Sequence, residues 1–341
     1  MVITIAGLLL YHLLARTETR DHCVRRGHKT STLPPTLFST DSFALFLPGH
    51  ASAGIIKLTQ LPPDNPSDGI IQATVHTFPG NLVADIHYNI DVDEKETRVT
   101  VSSPSLYESK GCVYIEVQVQ VPSYTKSLYI MATDNVEIEA NSPILVGFVK
   151  MSTMHAPIRF LHGWQGDDIM LVTIGANFDF SGNYSLHAAR SIDLHTTGSV
   201  QLDDSSSGDI RIYAVYNRVE MRNVTATGSI EPVTIDGIVY LQDTRAYNIT
   251  VDAKHTGTIT LDHVTVDNAL IAETENGAIQ AQLDKSQNIS AMFKTYAGDV
   301  NITMVRWHNL CYRKKSSHCC KRFSLTTLLD DLLSILPRLQ M

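Results

Sequence analysis

The chain has 341 residues, of which 43% are hydrophobic and 18% are charged, and its formal net charge is −8. This composition excludes an intrinsically disordered protein, and five cysteines are too few for a disulfide-dense scaffold. A net acidic chain also argues against nucleic acid as the main partner, because phosphate binding requires clustered lysine and arginine.

The charge is unevenly distributed along the chain. Residues 30–305 carry 15 basic and 31 acidic side chains, whereas residues 1–29 and 306–341 have net charges of +3 and +5. An acidic body therefore has two basic ends. We expect the carboxylates of the body to be solvated and to keep the protein soluble. The alternative is that the basic ends lie near anionic lipid or a partner.

The N-terminal segment, residues 1–15, is almost wholly apolar. As a helix, residues 2–15 would extend about 21 Å, which is shorter than the roughly 30 Å hydrocarbon core of a membrane. We expect a signal or anchor segment; the alternatives are the end of a longer membrane span and a buried element of the fold. Residues 16–40 are predicted to be a basic, polar linker that runs through Pro34 and Pro35.

Residues 41–131 are predicted to be β-strands that lead into a repeat. Apolar and polar side chains alternate strictly over residues 112–121, which is typical of a half-buried strand, and Pro122 ends it. Shorter alternating runs cover Ile70–His76, Leu82–Val92 and Thr97–Val101.

Residues 132–305 contain a repeat of about ten residues. Each unit has a turn-forming Gly, Asn or Asp followed by an apolar-polar-apolar phrase. We expect two units to form one coil of a β-solenoid, with glycine supplying positive φ at the corners. An antiparallel sandwich is the competing fold, but it does not require the same phrase at each step. The repeated glycines are Gly198, Gly208, Gly228, Gly237, Gly257, Gly277 and Gly298.

The interior of the predicted solenoid is an aliphatic column. Its residues are nearly all β-branched or leucine, which suits the pleated packing of stacked strands. The predicted inward residues are Val200, Leu202, Ile210, Ile212, Ile230, Ile249, Val251, Ile259, Leu261, Ile279, Val300 and Ile302.

These phrases resemble the bacterial and fungal "putative adhesin" or toast-rack family. Two parts of the lead-in are also similar to that family: residues 54–58 followed by 70–75, and residues 117–122 followed by 127–140. The resemblance covers about residues 43–304. It implies an all-β solenoid with a role in surface interaction, and it carries over no catalytic residue.

Residues 306–322 are predicted to be a basic tail rich in cysteine and histidine. A zinc site needs four ligands at tetrahedral reach, and this segment lacks a paired Cys-x-x-Cys, so we expect no metal there. Cys23 and Cys112 are either free or paired with this tail. The residues considered as ligands are His308, Cys311, His318, Cys319 and Cys320.

Residues 323–341 contain the one clear helical pattern, with leucines at i, i+3 and i+4 and two aspartates on the opposite face. We expect a C-terminal amphipathic helix that caps the end of the solenoid. The alternative is a helix that binds a membrane interface or a partner.

Five Asn-x-Ser/Thr sequons are candidates for N-glycosylation. The alternative is that the alternation of the repeat itself generates them, because Asn-Ile-Thr is an outward-inward-outward phrase in a strand. The candidates are Asn183, Asn223, Asn248, Asn288 and Asn301.

The sequence predicts no catalytic residue, no cofactor and no metal ligand. Asp167 and Asp168 match one polysaccharide hydrolase motif only superficially, and Asp203 and Asp204 lack a glycine-rich calcium repeat. We expect a non-catalytic body that is membrane-anchored and extracellular, or secreted. Its role would be adhesin-like, envelope-structural or protein interaction, with a protein or glycan partner. The alternatives are an intracellular or membrane-associated scaffold and a carbohydrate-active enzyme.

Overall fold

The computed structural model describes residues 29–65, 67–103, 111–179, 185–284, 289–304 and 309–314. The chain is a β-solenoid, as the repeat predicts, and the solenoid has about eight turns. It divides into two compact units, with the boundary within residues 190–197. The predicted apolar segment 1–15, the helix of residues 323–341 and most of the tail 306–322 lie outside the described residues. Within the described ranges, no helix has the length and apolar character needed to cross a membrane.

The chain up to Thr196 is built from short strands. They are β1 (Lys29–Phe38), β2 (Ser42–Leu47), β3 (Ala53–Gln60), β4 (Gly69–Phe78), a 3-10 helix (Gly80–Asp85), β5 (His87–Val92), β6 (Glu96–Ser102), β7 (Cys112–Val121), β8 (Ser127–Ala132), β9 (Val136–Ala140), β10 (Ile144–Leu145), β11 (Phe148–Thr153), β12 (Ile158–Phe160), β13 (Trp164–Thr173), β14 (Phe178–Asp179) and β15 (Leu186–Thr196).

The first unit contains two sheets. Sheet 1 has the order β1-β4-β7-β3-β9-β12-β14, antiparallel from β1 to β7 and parallel from β7 onward. Sheet 2 has the order β5-β6-β2-β8-β11-β13, parallel except between β5 and β6. The two lead-in strands β3 and β4 therefore lie on opposite sides of β7.

Part of the predicted linker is a strand. β1 is the edge strand of sheet 1, and Leu33 and Phe38 are buried, with the Phe38 ring stacked on Phe43 at 4.5 Å between centroids. The register with β4 shifts at Pro34 and Pro35. Proline is tolerated there because an edge strand with a bulge does not need every ladder donor. The linker prediction is therefore wrong for residues 29–38.

The alternating run predicted over residues 82–92 is a strand only in its second part. Gly80–Asp85 form a 3-10 helix that buries Leu82, and β5 begins at His87. A short apolar-polar alternation does not by itself distinguish a strand from a short 3-10 helix, because either can bury a single apolar side chain of the segment.

The second unit is built from the remaining strands. They are β16 (Val200–Asp203), β17 (Ser206–Ser207), β18 (Asp209–Ala214), β19 (Val219–Arg222), β20 (Thr225–Thr234), β21 (Val239–Gln242), β22 (Arg245–Ala253), β23 (Ile259–Thr274), β24 (Ile279–Leu283), β25 (Ser290–Thr295), β26 (Val300–Met304) and β27 (Asn309–Lys314).

These strands form two parallel sheets. Sheet 3 contains β16, β19, β21, the first part of β23, β24 and β26. Sheet 4 contains β17, β18, β20, β22, the second part of β23, β25 and β27. Paired positions in successive coils lie 19 to 21 residues apart, as Val219, Val239 and Ile259 illustrate. The ten-residue unit is thus half a coil. β27 extends the repeat past residue 305, into the predicted tail.

Buried aliphatic side chains fill the space between sheets 3 and 4. Ten of the twelve predicted inward residues are at most 1% exposed, which confirms the predicted column. Val300 and Ile302 are half-buried in β26. Burial of one such side chain contributes about 1.5–3 kcal/mol, so the column is the main source of stability in this unit.

The glycines of the repeat are needed because the backbones of neighbouring coils come close together there, and not because they adopt positive φ. A Cβ on Gly257 would lie 2.1 Å from the carbonyl oxygen of Gly237, and one on Gly277 would lie 1.7 Å from that of Gly257. Neither Gly257 nor Gly277 has positive φ. The left-handed conformation occurs at the other corner of the coil, on residues whose short polar side chains tolerate it or, once, on a histidine. These residues are Asp204, Asn223, Asp243 and His263, with φ of 48–52°.

Buried threonines form hydrogen bonds at the glycine corner. The Thr274 hydroxyl donates to the carbonyl oxygen of Gly257 at 2.9 Å, and the Thr295 hydroxyl donates to that of Gly277 at 3.1 Å. The carbonyl oxygen of each of these glycines therefore accepts a hydrogen bond from a side chain, and the buried threonine hydroxyl has a hydrogen-bond partner.

Candidate functional site

The solvent-facing side of sheet 2 carries a cluster of large apolar side chains. Strands β8 and β11 bury alternate residues, and Phe46, Tyr129 and Phe148 are half-buried on the side of the sheet that is open to solvent. Phe46 is paired with Met131, which is 46% exposed, and the rings of Tyr129 and Phe148 lie 5.2 Å apart. We call these four residues the aromatic face.

Charged groups border the aromatic face. The guanidinium of Arg98, on β6, lies 5.7 Å from the centre of the Phe46 ring and forms an ion pair with Glu96 at 3.0 Å. Lys150 lies beside Tyr129 in the register of β11 and β8. The surface therefore has an apolar centre and a polar border, which is the composition of protein interaction sites.

The solvent-facing side of sheet 1 contains a polar groove of about 530 Å³. Gln72 on β4 lies opposite Gln118 on β7, and Gln120 lies two residues further along the same side. Pro35 and Ile70 form an apolar wall. We call it the amide groove, and its polar lining is Lys57, Thr59, Gln72, Gln118, Gln120 and Asn141.

Sheet 4 has a small charged cleft of about 290 Å³ on its outer side. Asp252, Glu273 and Lys294 are neighbours on β22, β23 and β25. Lys294 forms an ion pair with Glu273 and lies 5.4 Å from the centre of the Tyr296 ring. Burial is the main cause that raises the pKa of Asp252, and the charge of Lys254 opposes it. Ion pairs between successive coils thus line this cleft.

The corner with positive φ carries a second set of contacts between coils. The side-chain amide of Asn223 donates to Asp204 at 2.6 Å, and Nδ1 of His263 lies 3.2 Å from an oxygen of Asp284. The hydrogen bond to Asp284 is the largest cause that raises the pKa of the exposed His263. Among the described residues, no group of His, Cys, Asp and Glu is arranged to hold a metal ion.

The described sequons differ in environment. Asn223 is exposed at the corner between β19 and β20, whereas Asn248 is half-buried within β22 and accepts a hydrogen bond from Asn268 at 2.8 Å. Asn301 is exposed on β26. Asn183 and Asn288 lie outside the described residues. Of the described sequons, Asn223 is the one at an exposed turn, and its side-chain amide is hydrogen-bonded to Asp204.

The remaining candidate residues do not form a recognisable catalytic arrangement. The backbone amides of Asp167 and Asp168 both donate to the carbonyl oxygen of Gly147 at the start of β13. Asp203 accepts a hydrogen bond from Gln201 at 2.8 Å, so Asp203 and Asp204 both take part in corner contacts.

Cys112, at the start of β7, is disulfide-bonded. The other four cysteines lie outside the residues whose side chains are described. The neighbourhood of Cys112 on sheet 1 is apolar, because Ala53 and Tyr114 are buried beside it and Phe78 packs against them.

No family model matches the chain, and no curated protein matches it. Similar solved structures include a "putative adhesin" from Parabacteroides merdae that is 14% identical to this chain. The match covers 82% of this chain and 97% of the Parabacteroides merdae chain, with a TM-score of 0.47. A "putative lipid binding protein" from Parabacteroides distasonis is 12% identical, with coverages of 83% and 98% and a TM-score of 0.38. A "putative cell adhesion protein" from Clostridium sporogenes is 9% identical, with coverages of 66% and 100% and a TM-score of 0.23.

These structures include proteins named as adhesins, the family that the sequence phrases resemble. At these identities and TM-scores the similarity carries no conclusion about activity. The β-solenoid rests on the strand pairing described above.

Neither the aromatic face nor the amide groove follows from a motif. A signal for both was present in the sequence, because residues that alternate with the buried ones in β8 and in the second part of β7 must point outward. Recognising it requires knowing which strands are neighbours, and the pairing of β7 with β4 across 33 intervening residues is not readable from spacing.

Proposed function

We propose that the protein is a non-catalytic β-solenoid, displayed at the cell surface or secreted, with an adhesin-like, envelope-structural or protein-interaction role. The aromatic face carries this proposal. Soluble proteins rarely leave contiguous apolar surface at solvent-facing positions unless it contacts another macromolecule. Met131 is exposed and Phe46, Tyr129 and Phe148 are half-buried beside it, on three adjacent strands.

The use of polar groups in the second unit supports a non-catalytic role. Lys294 pairs with Glu273, and His263 contacts Asp284, each across successive coils. Side chains that join coils stabilise the stacking, whereas a catalytic group must be available to a substrate. The alternative of a carbohydrate-active enzyme is tested by Asp167→Ala with Asp168→Ala, which should abolish any polysaccharide hydrolysis that the wild type performs.

Two features support a location outside the cell. A disulfide at Cys112 is favoured in an oxidising compartment. The apolar segment of residues 1–15 is a candidate signal or anchor. The proposal includes both a membrane-anchored and a secreted form of the protein.

Protease shaving tests the location. Protease added to intact cells should remove the body of an anchored form, and a secreted form should be recovered from the medium. Release of glycans from the same sample should lower the mass, and Asn223→Gln should remove more of that shift than Asn248→Gln. A protein that is retained inside the cell, protected from protease, contradicts the proposal.

Attachment assays test the aromatic face. Cells that produce the wild type should attach to one another or to a surface better than cells that produce Tyr129→Lys with Met131→Glu. Gln280→Lys is the matched control, because Gln280 is an exposed strand residue on sheet 3. Equal attachment by a folded aromatic-face variant would refute an interaction role for this surface.

A further inference from the structure

We propose that the amide groove of sheet 1 binds a neutral oligosaccharide through its hydroxyl groups. The site is separate from the aromatic face on sheet 2. The proposal deepens the adhesin-like function, and it rests on that function for access to glycans outside the cell.

The groove presents several side-chain amides on one flat surface. Gln72 and Gln118 are directly paired across β4 and β7, and Gln120 is the next residue on the same side. Such neighbours have Cβ atoms about 5–7 Å apart. No other described residue forms a side-chain hydrogen bond with any of the three glutamines, so their donors and acceptors are available to a ligand.

The chemistry of the lining favours hydroxyl groups. A side-chain amide is both a donor and an acceptor, as is each hydroxyl of a sugar, so one glutamine can contact two adjacent hydroxyls. Thr59 and Asn141 add groups of the same kind. Lys57 is the one cation in the lining, and a carboxylate, Glu139, lies beside it in the register of β3 and β9. With one cation and a carboxylate next to it, this surface suits a neutral sugar better than an acidic one.

The groove also has an apolar side. Pro35 and Ile70 line it, and Leu37, which is paired with Ile70 in the sheet, is 65% exposed. A sugar ring has an apolar face of C–H groups as well as a rim of hydroxyls, and such a wall would contact that face. The volume of about 530 Å³ is within the range of small-molecule sites.

The backbone around the groove disfavours an extended peptide as the ligand. β7 is hydrogen-bonded to β4 on one side and to β3 on the other, and β3 is also paired with β9. No strand edge therefore faces the floor of the groove. A ligand there is held by side chains alone, without the main-chain ladder through which sheets bind peptides.

A glycan array probed with the full chain tests the proposal. The array carries neutral glucose, galactose, mannose and N-acetylhexosamine oligosaccharides together with sialylated and uronic-acid oligosaccharides. We expect binding to neutral members, weakened at least about tenfold by Gln72→Ala with Gln118→Ala, equivalent to about 1.4 kcal/mol. Gln118→Glu, which keeps the size but removes the amide donor, should also weaken binding. Gln280→Ala should leave it unchanged.

Three outcomes overturn the proposal. They are absence of binding to neutral glycans, binding that is unaffected by both groove variants, and binding to acidic glycans alone that depends on Lys57. The wild type and the variants are compared by circular dichroism and thermal unfolding, so a folding defect is not mistaken for lost binding. Failure on the array with intact surface attachment overturns the groove alone. Failure of protease shaving overturns the proposed location and leaves the measured glycan affinity standing.

Discussion

At the scale of single residues, the glycine corner of the second unit leaves no space for a side chain. A Cβ on Gly277 would lie 1.7 Å from the carbonyl oxygen of Gly257, which is backbone and cannot rotate away. Gly277→Ala should therefore force two coils apart and lower the free energy of unfolding by about 3 kcal/mol, measured by urea denaturation.

Gly147→Ala is the control for that prediction. The nearest atom to its new Cβ is the carbonyl oxygen of Lys126 at 3.3 Å, a separation that a small shift relieves. We expect a change of less than about 1 kcal/mol. Equal stability of the two alanine variants would mean that the corners tolerate a methyl group.

We expect His263 to make the stability of the second unit depend on pH. The hydrogen bond to Asp284 is the first cause of its raised pKa, and the charges of Asp262 and Asp243 add to it. Because the folded pKa is above the ordinary value of 6.5, the stabilisation is complete below about pH 6.5 and is lost as pH rises through the folded pKa.

NMR titration measures this pKa directly. The imidazole of His263 should titrate above the value of the unfolded chain, and Asp284→Asn should move it back toward that value. An unchanged titration in Asp284→Asn would assign the shift to the other carboxylates.

At the scale of elements, β1 contributes to the core of the first unit. Phe38 is 4% exposed and stacks on Phe43, whereas the adjacent Leu37 is 65% exposed. Phe38→Ala should therefore cost about 3 kcal/mol of unfolding free energy, and Leu37→Ala should change it by less than about 0.5 kcal/mol. Chemical denaturation compares the two.

Hydrogen exchange gives an independent test of β1. Its amides that pair with β4 should be protected in the wild type, since they donate within a sheet. Exchange of the β1 amides at the rate of an unstructured peptide would restore the linker interpretation.

Strands were predictable where burial alone dictates the pattern. β7 spans the ten residues whose alternation is strict, Cys112–Val121, and the predicted bounds match. β1 was missed because its two prolines are typical of a linker, and only the bulge opposite β4 accommodates them. The functional surfaces required the order of strands in each sheet, which depends on packing between distant segments and not on local pattern.

At the scale of the whole molecule, the repeat predicts which deletions the second unit can tolerate. Val239 and Ile259 are equivalent positions in neighbouring coils of sheet 3. Deleting residues 239–258 removes one complete coil and leaves every remaining strand in its own sheet. We expect a folded protein with somewhat lower stability, because each coil contacts mainly its neighbours.

Deleting residues 239–248 instead removes half a coil. The segments that follow would then enter the wrong sheet, and polar corner residues would face the aliphatic column. This variant should fail to unfold cooperatively in a calorimeter, whereas the twenty-residue deletion should retain a single transition. If the two deletion variants unfolded in the same way, a half-coil segment would be able to join either sheet.

The parallel pairing of coils 19 to 21 residues apart also determines the order in which the second unit can assemble. Each strand from β19 onward pairs on one side with a strand that precedes it in the chain, so a completed coil is the template for the next. A chain threaded through a narrow channel with its N-terminus leading can fold as it emerges, a coil at a time. Every coil formed on the far side then resists backward sliding, so folding itself can drive the passage.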